Sequence, residues 1–189
     1  MENYDPNMVR INEQNLEQYI KDAARTVRYL DDEKSDMMHM KLGIYSEIGE
    51  LVDAFKKNFV YGKDLDLVNI GEELGDIAWY LANTLTIMDL KIKSFDVMLP
   101  RKNKIVFDLE EIIVALEYIM KKYSQGIYNS QTIFFCFLLL EEIGWSYGID
   151  LITCMEKNIA KLKIRYPEKW TQDLATNRNL DAERSALEK

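Results

Sequence analysis

Two pairs of carboxylates carry the first chemical signal in this sequence. Glu47 and Glu50 stand three positions apart in Glu47-Ile48-Gly49-Glu50, and Glu73 and Asp76 repeat the spacing in Glu73-Leu74-Gly75-Asp76. On an α-helix, residues i and i+3 share a face. Two such pairs on facing helices would gather four carboxylates around one point. Left alone, that cluster repels itself and resists burial. A hard divalent cation, Mg²⁺ or Mn²⁺, relieves both problems because it takes oxygen ligands.

A complementary set lies further along. Asn158, Lys161 and Arg165 fall at i, i+3 and i+7, along one helix face. Lys56 and Lys57 follow Glu50. Carboxylates for a metal, with Lys and Arg for phosphate, are the tools of phosphoryl or nucleotidyl transfer. Tyr80 comes one turn after Asp76 and can stack on, or hydrogen-bond to, a base. Trp79 reads as core. The sole histidine, His39, reads as a polar residue at a helix surface or start, so neither histidine catalysis nor a His-rich zinc site is expected.

A lone Glu-x-x-Glu is common on any solvated acidic helix. Here both pairs adjoin an apolar stripe, and both enclose a glycine, Gly49 or Gly75. Glycine inside a helix costs about 1 kcal/mol relative to alanine. Its presence predicts a packing or approach reason at each position, a close helix–helix contact being one.

The elements that must hold these residues follow from hydrophobic period and capping signals. A first helix is expected from Asn12 or Asn15 to about Leu30, and a second from Ser35 or Asp36 to about Phe59. Tyr61-Gly62-Lys63-Asp64 makes a turn, and a third helix runs from about Asp66 to Leu90. That short connection makes the second and third helices antiparallel neighbours, which brings the acidic pairs together. Ser94 to Lys104 reads as a linker. Further helices are expected over Asp108–Ser124, Ser130–Tyr147 and Leu151–Arg165, with a short one over 180–188. The run around Phe134, Phe135, Phe137 and Leu138 is apolar nearly all round, so it belongs in a core or an interface.

Composition agrees with a single helical domain. The chain has 189 residues, 48% of them hydrophobic, with only 8 Gly and 3 Pro. A net charge of −8 speaks against a nucleic-acid partner, which needs a basic surface. The longest apolar run, Thr132 to Leu140, is too short to span a bilayer, and the polar start Met1-Glu2-Asn3 is unlike a secretory leader. Two cysteines form no disulfide framework. A reducing cytoplasm is the expected compartment, with no membrane partner.

The motifs together resemble the MazG-like all-α nucleoside triphosphate pyrophosphohydrolases. That family's signature is Glu-x-x-Glu, a gap, then Glu-x-x-Asp, matched here by Glu47, Glu50, Glu73 and Asp76. Tyr19-Ile20-Lys21-Asp22-Ala23-Ala24-Arg25-Thr26 is similar to its opening helix. Leu42-Gly43 through Glu50, with Lys56-Lys57 and Gly62, is similar to its second. Glu72 through Ala82 is close to its third. Gly148-Ile149-Asp150-Leu151, Asn158 through Leu162 and Arg165-Tyr166-Pro167 look like its closing helix, and Asn177-Arg178 with Glu183-Arg184 like its tail.

The resemblance implies an all-α bundle of about six helices. A single domain over 1–189 would hold a catalytic antiparallel hairpin, with a helical segment inserted at about 91–147. It implies Mg²⁺-dependent hydrolysis of a nucleoside or deoxynucleoside triphosphate to the monophosphate and pyrophosphate, with Mn²⁺ able to substitute. The four carboxylates would bind metal and serve catalysis. Lys161 and Arg165, with Lys57, would hold phosphates, and Asn158 and Tyr80 would contact sugar or base. No side chain stands out as a separate base, and Glu72 or one of the four ligand carboxylates would fill that role. A homodimer or homotetramer is implied. Hydrolysis of a guanosine tetraphosphate-type alarmone, or a non-catalytic helical module, is the competing expectation. The chain departs from some relatives at Ser46, where they have Glu, and at Asp53, where they have Lys. The inserted segment also echoes the catalytic hairpin: Glu110-Glu111, Lys121-Lys122, Gly126 and Glu141-Glu142-Ile143-Gly144-Trp145 follow the order of Glu47, Lys56-Lys57, Gly62 and Glu72 through Asp76, with Trp145 in place of the Asp. Two readings follow: an unrelated helical insertion, or a degenerate helical hairpin packed on the first.

Overall fold

A helix needs partners for its first backbone N–H groups, and a side-chain oxygen just before it supplies one. In the computed structural model, which describes residues 10–92, 106–166 and 180–188, six helices start in this way. Asn12 caps α1 (Glu13–Ala24), Asp32 caps α2 (Glu33–Tyr61) and Asp66 caps α3 (Leu67–Ile87). Asp108 caps α4 (Leu109–Ser124), Asn129 caps α5 (Ser130–Ser146) and Asp150 caps α6 (Leu151–Arg165). A last helix, α7, covers Leu180–Glu188. The fold is all-α, and among the described residues no strand occurs. Among those residues, no single helix is long and apolar enough to cross a membrane.

Three boundaries differ from expectation. α1 stops at Ala24, short of Leu30, and the Thr26 hydroxyl donates to the Ala23 carbonyl (2.9 Å) just past its end. α2 starts before Ser35, because Asp32 is the cap and accepts from the Ser35 N–H at 2.8 Å. Asp36 instead turns inward and accepts from the Leu30 N–H at 2.6 Å, fixing the α1–α2 connection. α3 ends at Ile87, with Asp89 in the left-handed region at φ 48° shortly after. The expected linker over Ser94–Lys104 lies outside the described residues.

The α2–α3 connection is the short turn the sequence predicts. Gly62 takes a left-handed φ of 64°, which lets its N–H close back on Asn58 while the chain reverses. α3 is the central element and packs on α1, α2, α5 and α6. Its buried side chains, from Ile70 through Leu85, therefore lie on more than one face. The second hairpin packs on the first, α4 on α2 and α5 on α3. Tyr123, fully buried on α4, donates to the Thr84 hydroxyl of α3 at 2.8 Å. Phe134, Phe137 and Leu140 of α5 are fully buried, so its apolar surface is core. Burying each such aromatic contributes roughly 2–3 kcal/mol.

Candidate metal centre

Three of the four signature carboxylates converge. Glu47 from α2, and Glu73 and Asp76 from α3, each offer an oxygen within 4.8 Å of the others. Glu50 lines the same cavity but is exposed, at its open edge. The α2 stripe that faces α3 reads His39, Gly43, Glu47, Glu50, and the α3 stripe opposite reads Glu73, Asp76, Tyr80. Antiparallel pairing puts the carboxylates at one end of the cavity and the rings at the other. The cavity has a volume of about 370 Å³ and is completed by Thr26, Arg28 and Trp79 and by Lys161, Arg165 and Tyr166.

Gly75 explains how the third helix of the site comes in. A Cβ at that position would lie 2.9 Å from the Cys154 carbonyl oxygen and 3.2 Å from the Asn158 Cβ. The missing side chain lets α6 rest on α3 and delivers Asn158 and Lys161 to Asp76. Gly49 has no such role: a Cβ there would meet nothing within 4 Å, so the packing or approach reason expected at Gly49 is absent.

The carboxylates are electrostatically loaded. Burial and the charge of Asp76 hold Glu47 well above the ordinary carboxylate range, and the same causes hold Glu73 higher still. Burial also raises Asp76, although Lys161 pulls the other way. The Lys161 ammonium lies 2.8 and 2.6 Å from the two Asp76 oxygens and 3.1 Å from Glu72. Burial alone would lower its pKa, but Asp76 and Glu72 overcome this and keep it charged. Asn158 donates through Nδ2 to Asp76, while its buried Oδ1 has no hydrogen-bond partner among the described residues. Closely spaced carboxylates, one buried and two partly so, with raised proton affinity and beside an amide oxygen unpartnered among the described residues, suit a hard divalent cation.

At the other end, Tyr80 stands edge-on to Trp79 (4.9 Å between centroids, 86°) and to His39 (5.9 Å, 81°). Trp79 is buried as expected, yet it also lines the cavity, and its Nε1 donates to the Thr26 hydroxyl at 2.9 Å. Burial lowers the pKa of His39, and its buried Nδ1 has no partner among the described residues. His39 is thus a wall of the cavity rather than a plain surface residue. Its spacing to Gly43 and Glu47, one turn each, was the signal for this.

The basic residues divide. Lys161 and Arg165 line the cavity. Arg165 is also held from α7 by Glu183, whose Oε1 accepts from Nε at 3.0 Å. Lys57 does not reach the cavity: it is exposed and pairs with Asp53 at 2.7 Å, one turn earlier on the outer face of α2. Its expected phosphate contact is therefore corrected.

In the second hairpin two adjacent acids, Glu141 and Glu142, face a protein cation. Arg10 Nη1 lies 2.8 Å from Glu141 and 2.7 Å from Glu142, and its guanidinium lies 3.1 Å from the centre of the Trp145 ring. The Ile11 N–H adds a bond to Glu141 at 2.6 Å. A protein cation fills the space between these acids. Comparison with family models, curated proteins and solved structures returned no match.

Proposed function

We propose that this chain is a Mg²⁺-dependent nucleoside triphosphate pyrophosphohydrolase, releasing the monophosphate and pyrophosphate. The observation that carries the reading is the two-ended cavity: clustered carboxylates and Lys161 at one end, Tyr80, Trp79 and His39 at the other. A triphosphate with its metal needs the first, and a nucleobase needs the second. The resemblance to the MazG-like family adds the reaction type.

Glu47, Glu73 and Asp76, with Glu50 at the mouth, would hold Mg²⁺ or Mn²⁺. A metal held there would supply an activated water and neutralise charge on the phosphate oxygens. Lys161 and Arg165 hold the outer phosphates, with Arg165 steadied by Glu183. Glu72 lies beside them and is the carboxylate outside the metal set placed to accept a proton. Tyr80 and His39 meet the base, and Asn158, behind Asp76, positions that ligand rather than the sugar. The free, buried cysteines Cys136 and Cys154 suit a reducing cytoplasm. The homodimer or homotetramer of this reading uses a face other than α5, whose apolar surface is enclosed within the chain.

The test is pyrophosphate release across ribo- and deoxynucleoside triphosphates with Mg²⁺, with guanosine tetraphosphate alongside. Turnover of a triphosphate, abolished in Glu50→Gln and Asp76→Asn, is expected. Turnover of the alarmone alone would reassign the substrate, and no turnover of any nucleotide would leave the chain a helical binding module.

A further inference from the structure

We infer that Lys161 is a built-in counter-cation that the divalent metal displaces from Asp76, so that metal and triphosphate bind cooperatively. This rests on the metal site proposed above, but it concerns what Lys161 does before substrate arrives. The ammonium engages both Asp76 oxygens at 2.8 and 2.6 Å. Asn158 donates to the same carboxylate. Asp76 is thereby saturated on the side that faces α6. A metal bound to Asp76 sits about 2.1 Å from an oxygen. Two cations on one small carboxylate repel strongly in a partly buried site. One must leave.

Lys161 is the one able to move. Its charge sits on a flexible four-carbon stem, so the ammonium can swing while the backbone of α6 stays packed. Lys161 lines the cavity it would swing into. An independent feature points to the same exchange. Asn158 is 1% exposed, yet its Oδ1 has no partner among the described residues. That oxygen can accept from a metal-bound water once the ammonium has left. Glu47 and Glu73, by contrast, have no salt-bridge partner among the described residues, so the internal cation neutralises only the Asp76–Glu72 side.

Triphosphate oxygens attract the displaced ammonium. Substrate therefore draws Lys161 off Asp76 and opens that ligand to metal, while metal frees Lys161 for phosphate. Each raises the affinity of the other by the same factor.

The test uses the full chain and Mn²⁺, with binding read by electron paramagnetic resonance. Lys161→Met is expected to bind Mn²⁺ about tenfold more tightly than the parent without nucleotide, a size typical of such coupling. An α,β-methylene triphosphate should tighten Mn²⁺ binding to the parent and have little such effect in Lys161→Met. Equal or weaker Mn²⁺ binding by the variant overturns the exchange, even if the parent hydrolyses nucleotides. Tighter binding without hydrolysis by the parent supports the exchange and removes the proposed function instead. If Lys161→Met does not fold, the parent decides: its ¹⁵N-labelled Lys161 ammonium should shift and exchange faster with water as Mg²⁺ is added. An unmoved signal at saturating Mg²⁺ overturns the proposal.

Discussion

The Tyr80 ring occupies the space that a side chain on residue 43 would need: a Cβ at Gly43 would lie 2.1 Å from its Cε1 and Cζ atoms. The two helices of the site therefore meet as a ring laid into a notch. Gly43→Ala must push the ring toward the cavity or tilt it away. The expected result is a KM for nucleotide raised about tenfold, equivalent to roughly 1.4 kcal/mol of lost stacking, with kcat much less changed. Mn²⁺ affinity should not move, because Glu47 lies a full turn away. Steady-state kinetics with a Mn²⁺ titration check this, and a fall in kcat at unchanged KM would take Tyr80 off the base.

The acid cluster predicts a pH dependence whose sign is fixed. Glu47, Glu73 and Asp76 all have raised proton affinity in the fold, led by burial. A carboxylate of this kind binds its proton more tightly folded than unfolded. Its contribution is complete below the ordinary glutamate value of 4.5 and is lost as pH rises through the folded value. With chelator present, Tm should therefore fall as pH rises above that point. Glu141 is shifted the same way and adds to the slope. Mg²⁺ separates the two, because it rescues only the cluster. Thermal melts at about pH 6 and about pH 8, with chelator or Mg²⁺, should show the larger Mg²⁺ stabilisation at the higher pH. An equal or reversed gain would remove the cluster as the metal site.

How far the sequence could be read depended on whether a residue's role was local. Capping is local: Asp66 and Asp108 were legible as helix starts, and Asn12 was one of two candidates for the start of α1. The end of α1 was not. Val27 and Leu30 continue the helical period, but Thr26 is tied to Trp79 on another helix, and Tyr29 and Leu30 stay exposed. The acidic pairs were legible because their spacing is helical and their loop is short. Lys57 differs for another reason: its i,i+4 pairing with Asp53 is itself local, but only the rotation of α2 about its axis turns that pair away from the cavity. His39 is the mirror case, a residue of bland local context that this same rotation turns onto Tyr80.

Arg10 carries a structural prediction for the second hairpin. It is the cation between Glu141 and Glu142, whose side chains are 2% and 6% exposed. Removing it leaves those two acids buried without that charge. Breaking a buried pair in this way costs about 3 kcal/mol or more. Arg10→Ala should lose that much in urea unfolding. Adding Glu142→Gln should recover part of it, since one buried charge is then gone. A loss under about 0.5 kcal/mol, the size of an ordinary surface substitution, would show that the pair is not what ties the N-terminal segment to α5.

Gly49 and Gly75 occupy the same place in their motifs, between the two acids, yet they should respond oppositely to alanine. Gly49 is exposed, and a Cβ there meets nothing. Gly49→Ala therefore brings only the helix-propensity gain, about 0.5–1 kcal/mol of added stability. At Gly75 the Cβ would lie 2.9 Å from the Cys154 carbonyl oxygen, a backbone atom that cannot turn aside. Gly75→Ala must lever α6 off α3, at a cost of about 1–3 kcal/mol after its own propensity gain is overcome. The displacement also carries Asn158 and Lys161 away from Asp76, so the variant should bind Mn²⁺ differently as well as melt earlier. Paired melts of the two variants decide it. Stabilisation by both would mean that α6 is not seated on Gly75, and the geometry that brings Lys161 to the acids would fall with it.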